Sequence, residues 1–237
     1  MGKADGVSGK VAVDPKTVQG CLDKAGPGDV IVLRPGRYTE GLRLIGRRGN
    51  PVCPITIRAL PGAVIDGGVS FTIFNHRAQL VAKADWLLGH RPPGIQSIAL
   101  EAMLTIDSCE HVRVEGLAFR AAWPTAVLVD TSSNVTLTGL RIRDSAFAFL
   151  LHGEPTRGIV IERCLWVQDT TRGDLWRRTA WDRIHGADWH EADVRGLDGD
   201  FVRSYRIAGD LTVRYNRILH AFNGVHCFNR RPDYPAA

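Results

Sequence analysis

Short alternating apolar segments return along this chain every 23 or 24 residues: Val112-Arg113-Val114-Glu115-Gly116-Leu117, then Val135-Thr136-Leu137-Thr138-Gly139-Leu140, then Ile159-Val160-Ile161-Glu162-Arg163-Cys164. The phrase reappears at Leu211-Thr212-Val213-Arg214-Tyr215-Asn216, 52 residues beyond Ile159, which leaves room for two slightly longer turns. A fixed period built from β-branched alternation predicts a solenoid in which each repeat is one coil. A second strand follows at an offset of 14 residues, with Ala126 after Val112, Phe149 after Val135 and Val225 after Leu211. Equivalent residues of successive coils should then stack about 4.8 Å apart.

The N-terminal pattern is different. Asp14 is an N-cap candidate, Pro15 suits a first helical position, and Val18, Cys21, Leu22 and Ala25 follow at helical spacing. One short amphipathic helix is therefore expected, ending at Gly26-Pro27-Gly28, with strands at 30–33, 42–44, 54–59 and 63–65. A helix before many short strands fits an all-β solenoid whose first coil is capped, because an open end would present unpaired strand edges. Residues 68–102 break the rhythm and read as a coil carrying a surface excursion. Residues 172–200 read as one irregular coil, rich in Trp, Arg and Asp. The whole chain reads as one domain.

Composition adds bounds. At 237 residues and 44% hydrophobic content the chain can bury a substantial core. No apolar run approaches the roughly 18 to 20 residues needed to cross a bilayer, and the first residues lack the apolar stretch of a secretory signal. Five scattered cysteines without a CxxC pair imply neither a disulfide framework nor a zinc site; Cys164 and Cys227 are expected as packing residues. The net charge of +5 rests on 25 Arg against 5 Lys. Arg presents a planar fork suited to carboxylates and phosphates, which favours an anionic partner. Aromatic residues are not interleaved with the basic ones outside one coil, which argues against nucleic acid.

The segment Ala25-Gly26-Pro27-Gly28-Asp29-Val30-Ile31-Val32-Leu33-Arg34-Pro35-Gly36-Arg37-Tyr38, with Pro54-Ile55-Thr56-Ile57-Arg58-Ala59 after it, resembles the opening coil of right-handed parallel β-helix proteins. These form the pectate-lyase-like superfamily, which includes alginate lyases and chondroitinase B. Tyr215-Asn216-Arg217-Ile218 is also similar to its Asn-bearing turns. The resemblance implies a right-handed parallel β-helix solenoid, an acidic polysaccharide as partner, and an extracellular or periplasmic location. It transfers no catalytic residue. The central coils hold no lysine beyond Lys83 to serve in a Lys and Arg pair. His152-Gly153 and Asp198-Gly199-Asp200 are only fragments of a polygalacturonase pattern.

Alternation and stacking nevertheless assemble a candidate site. With Phe149, Leu151, Ala126 and Leu128 inward, one outward file holds Leu150, Asp174, Val202 and His226. The next holds Val129, His152, Trp176, Ser204 and Phe228, and Asp200 falls beside them. This predicts a solvent-facing groove containing His152, Asp174, Trp176, Asp200 and His226. The register has a defect, since Phe201 inward would turn Arg203 inward as well. A slip of one residue brings Arg203 out, turns Val202 in and removes Asp200 from the groove. Both registers stay open on sequence alone.

The expected chemistry is β-elimination or epimerisation of a uronate, with His226 or His152 as base and Arg203 or Arg183 neutralising the carboxylate. Trp176, with Trp181 and Trp189 nearby, would stack a sugar. A hydrolase using two carboxylates from Asp174, Asp193, Asp198 and Asp200 is the second reading, and a non-catalytic glycan-binding or structural β-helix the third. Asp193 and Asp198 could also supply oxygen ligands to Ca2+, although turn and cap chemistry is the better explanation of such residues. The last regular coil ends at Phe228 and residues 229–237 offer no amphipathic cap. Further coils or a partner are expected to cover that end.

Overall fold

The computed structural model describes residues 9–89, 98, 100–170, 175–186 and 188–228. The Pro-rich stretch around 90–94, the tail 229–237, Asp174 and the side chains of Trp176 and Trp189 lie outside the described residues, as do the expectations placed on them.

Among the described residues nineteen strands run in parallel and form three sheets along the solenoid. The first sheet stacks Lys10–Val13, Val30–Leu33, Ile55–Ala59, Glu110–Glu115, Ser133–Thr138, Arg157–Glu162 and Gly209–Arg214. Every coil after Lys10–Val13 then passes through a third-sheet strand: Gly36–Tyr38, Ala63–Asp66, Ala118–Arg120, Arg141–Arg143, Leu165–Val167 or Arg217–Leu219. It closes through a second-sheet strand: Leu42–Ile45, Ala102–Asp107, Thr125–Asp130, Phe147–His152, Asp200–Tyr205 or Asn223–Phe228. Gly116 (φ 68°) and Gly139 (φ 66°) turn the chain from first to third sheet in the left-handed region, where glycine has no Cβ penalty. Arg163 (φ 54°) and Tyr215 (φ 57°) accept the same conformation on later coils. The chain is thus a parallel β-helix, with the right-handed winding of parallel crossovers.

The repeated phrase is the first sheet. Val112 pairs with Val135 and Val114 with Leu137, and Ile159 and Ile161 pair with Leu211 and Val213, so the alternating residues form files inside the barrel. They join Leu104, Ile106, Val127, Val129, Phe149, Leu151 and Trp166 in one core. Burial of each such side chain contributes at most about 1.5–3 kcal/mol. Cys109 and Cys164 pack in this core, and burial pushes the Cys164 thiol up to about 11. Cys227 differs from its expected packing role: it stacks on Ser204 in the last described strand and is exposed there.

The opening coil has an unanticipated first rung, since Lys10–Val13 pairs with Val30–Leu33. The helix is shorter than expected, Val18–Leu22, because Asp14 caps a preceding turn by accepting from the Lys16 and Thr17 backbone amides. Val18 and Leu22 reach the core, as a capping helix should.

The larger departure is residues 68–102. The coil does carry an excursion there, between Ala63–Asp66 and Ala102–Asp107, but its described part is ordered as a 17-residue helix, Phe71–Leu87, started by Ser70, whose hydroxyl accepts from the Ile73 amide at 3.3 Å. Phe71, Phe74, Ala78 and Ala82 recur at helical spacing and are buried. Phe71 and Phe74 meet Trp123 with ring centroids 5.5 and 5.3 Å apart. The segment expected as one irregular coil folds as short helices, Leu175–Arg178 and Trp181–His185, and two 3-10 turns, Trp189–Glu191 and Arg195–Leu197. Asn75 locks the long helix to it, donating to the Asp193 carbonyl at 2.9 Å and accepting from the Gly196 amide at 2.6 Å. Together they bury Leu128, Phe147 and Leu150, on the outside of the second sheet, in a second apolar cluster with Phe71, Phe74, Ile184 and Leu197.

Candidate functional site

Strict alternation fails on the second sheet, and the failure builds the site. Val127 pairs with Phe149 and Phe149 with Val202, so the inward file is Val127, Phe149, Val202 and Val225. Ala126, Ala148 and Phe201 also reach the inner core, while Phe147 and Leu150 both belong to the outer cluster. Two consecutive residues of these strands therefore face inward. Phe201 packs edge-on against Phe149 at 5.3 Å and beside Trp166 at 6.1 Å. Leu128, expected inside, is outside, and Val129, expected outside, is inside. Neither expected register holds in full: Val202 is in and Arg203 out, yet Asp200 stays with Arg203.

Arg203 stacks between Leu150 and His226 on neighbouring coils. It is almost completely buried, with its guanidinium 4.7 Å from the Phe147 ring centroid and 5.5 Å from that of Phe228. Its Nε donates to Asp200 Oδ2 in a short contact, Nη2 donates to Asp198 Oδ1 at 3.5 Å, and Nη1 to Tyr205 Oη at 3.4 Å. Asp200 is fully buried, and its Oδ1 lies 3.0 Å from His226 Nδ1 but off the direction of a hydrogen bond. His226 itself is 47% exposed. On the other side, His185 Nε2 lies 3.5 Å from Asp198 Oδ1 and Arg195 Nη1 3.9 Å from Asp198 Oδ2. Trp181, 61% exposed, stacks on His185 at 3.7 Å and lies 5.9 Å from Phe222. An exposed indole is thus joined to a half-exposed imidazole through His185, Asp198, Arg203 and Asp200.

The two carboxylates differ in proton affinity. Burial pushes Asp198 up, but His185, Arg203 and Arg195 outweigh it and hold the group below the usual range. Burial of Asp200 dominates, and Arg203 and His226 only partly offset it, so its pKa is raised. Burial opposes the Arg203 charge, yet Tyr205, Asp200 and Asp198 outweigh this and raise its pKa. Burial also raises Tyr205, which keeps the phenol protonated.

Several expectations change. The groove is not a solvent face throughout, because Asp200 and Arg203 are buried. Arg203 is bound by two carboxylates and is not a free neutralising cation. His152 does not join the cluster: it stacks on Tyr205 and binds Asp130 Oδ1 at 3.0 Å through Nδ1. Arg183 pairs with Asp193 at 3.2 Å, both exposed. Asp193 and Asp198, named for Ca2+, are held by different arginines and do not fit a shared cation. Among the described residues, Asp188, His190 and Glu191 do converge, with ligand atoms within 4.8 Å of one another. One of these three ligands is an imidazole, which a hard cation does not favour. Tyr205 and His185 were missed as site members, although Tyr205, two residues after Arg203, shares its face once alternation resumes beyond Val202.

Fold and site together define a parallel β-helix carrying a half-buried ionic cluster outside its second sheet. No family model and no curated protein sequence matches the chain. Among solved structures it is similar to an alginate lyase from Paenibacillus sp. str. FPU-7, at TM-score 0.45 and 14% identity over 87% of this chain and 75% of that one. It is also similar to the PL6 family polysaccharide lyase Pedsa3628 from Pseudopedobacter saltans, at TM-score 0.45 and 11% identity over 88% and 46%. A mannuronic acid specific family 6 lyase from human gut microbiota aligns at TM-score 0.47 and 14% identity over 93% and 52%. The chain spans about half the length of the last two.

Proposed function

We propose that this chain is a carbohydrate-active β-helix acting on an acidic polysaccharide, by β-elimination or epimerisation of a uronate centred on His226. The observation that supports it is the join between the exposed Trp181 face and the His226–Asp200 pair. The indole offers a flat apolar surface for a sugar ring. The imidazole, with Nδ1 beside a buried carboxylate, presents Nε2 as a base, and Asp200 stabilises the imidazolium formed when it takes the proton α to the uronate carboxylate. In elimination that C–H bond breaks, the electron pair forms the double bond, and the glycosidic oxygen leaves with a proton. Tyr205, kept protonated by burial, is the donor in reach of the same cluster.

The carboxylate must be neutralised for the proton to become acidic. Arg203 is committed to its aspartates, so this role passes to Arg183, whose exposed pair with Asp193 is weak enough to exchange for a ligand. No step requires a metal. Such a substrate lies outside the cytoplasm, which is where the protein is placed on this reading; no described helix is long and apolar enough to cross a membrane.

The test is incubation with alginate, pectate and a glycosaminoglycan, following ultraviolet absorbance of the unsaturated product and deuterium uptake from solvent. The parent should give one or the other, and His226→Gln should lower it by about 100-fold or more. Reducing ends without absorbance would replace this reading by hydrolysis. Binding without any chemistry would leave a glycan-binding β-helix.

A further inference from the structure

The third sheet carries a feature the site does not use. Register places Arg37, Val64, Ala118, Arg141, Leu165 and Arg217 in one outward file along the solenoid. Arg120 and Arg143 stack on each other in the adjacent file. All five arginines are exposed, whereas Val64, Ala118 and Leu165 are half-buried between them. Among the described residues one carboxylate serves the group: Asp66, almost completely buried, binds Arg37 Nε at 2.8 Å and Arg120 Nε at 3.1 Å. Among the described residues Arg141, Arg143 and Arg217 have no carboxylate within ion-pair distance. Asp144, next in the chain to Arg143, is occupied by the Thr170 amide and hydroxyl at 2.7 Å each. Like charges stacked directly across strands destabilise a sheet. The first sheet avoids this, with Glu115 beside Arg58 and Glu162 beside Arg214.

We propose that this strip is a second binding surface for a linear acidic polysaccharide, lying along the solenoid axis away from the His226 site. It rests on the substrate class read above. Arg37 to Arg217 spans five coil spacings, about 24 Å, long enough for several sugars of an extended chain. Planar guanidinium forks pair with carboxylates or sulfates, and the shallow apolar floor between them admits the C–H faces of sugar rings. Nucleic acid is disfavoured because no aromatic side chain stands on either outward file to stack a base.

The experiment measures binding of long and disaccharide polyuronate by calorimetry to the parent, to the triple variant Arg141→Gln/Arg143→Gln/Arg217→Gln, and to His226→Gln. The parent should bind the long chain more tightly than the disaccharide, and the triple variant should bind it about tenfold more weakly. His226→Gln, whose strip is intact, should keep the preference for the long chain over the disaccharide. Unchanged affinity in the triple variant overturns the proposal, as does parent affinity for single-stranded DNA equal to or above that for polyuronate. Should the triple variant fail to fold, Arg141→Gln alone must weaken binding by roughly twofold or more. Strip-dependent binding without any product from the parent would defeat the catalytic reading and leave the strip standing.

Discussion

Two histidine–aspartate pairs stand outside the second sheet with the same 3.0 Å separation, and their environments make them different groups. His152 and Asp130 are 35% and 25% exposed, and the hydrogen bond from His152 leads the causes that hold Asp130 below the usual carboxylate range. His226 is 47% exposed, but its Asp200 is fully buried and its pKa is raised. Both have water on the imidazole side, so what differs lies behind the carboxylate. Asp130 sits at a strand end, accepting also from the Thr131 hydroxyl at 3.0 Å. Asp200 sits against Arg203, itself enclosed by Phe147 and Phe228. An ion pair at a surface is a modest fixture; the same residues over a desolvated charge network become a tuned unit.

The sharpest break between them is Arg203→Leu. It leaves Asp200 and Asp198 buried without their shared cation and should cost about 3–5 kcal/mol, read by urea unfolding. An effect near that of an Asp130→Asn control, below about 1 kcal/mol, would dissolve the contrast. Phe74→Ala comes next. It empties a fully buried position over Trp123 and should cost about 3–5 kcal/mol, loosening the cover above Phe147. A smaller loss would mean that the helix can collapse onto the gap.

Acidification should move the two aspartates in opposite directions. Asp130 has a lowered folded pKa, so its stabilising contribution is present above the unfolded value of about 3.9 and is lost as pH falls through the folded value. Asp200 has a raised folded pKa; the cost of burying its charge applies above that value and fades as pH falls toward about 3.9. In urea unfolding across the acid range, the parent's advantage over Asp130→Asn should shrink on acidification. Its standing relative to Asp200→Asn should improve. Slopes of the same sign would refute the assignment.

The periodic phrase made the first sheet legible because its strands are buried on one face and alternate strictly, as Val112 and Val114 do. The second sheet has apolar cover on both faces around Phe147 to Leu151, so alternation carries little information there. The paired inward turn of Ala148–Phe149 and Phe201–Val202 could not be read from it. The helix 71–87 was readable in principle, from Ser70 as cap and from Phe71, Phe74, Ala78 and Ala82 at helical spacing. Its departure from the strand rhythm hid it. For the site, the spacing brought Arg203 and His226 near one another but not Asp198 or His185, which arrive through the irregular segment after Val167.

The smallest expected effect is the most selective. His152→Gln removes the side chain of the residue in register with Tyr205, one that belongs to a half-exposed pair, so unfolding free energy should change by less than about 1 kcal/mol. Product formation on polyuronate should stay within about twofold of the parent, because general-base catalysis worth a hundredfold or more needs a base in reach of the reacting proton. A large loss of turnover with unchanged stability would move the base from His226 to His152. It would also show that a carboxylate held in its charged form, rather than a desolvated one, is what this face uses to orient its histidine.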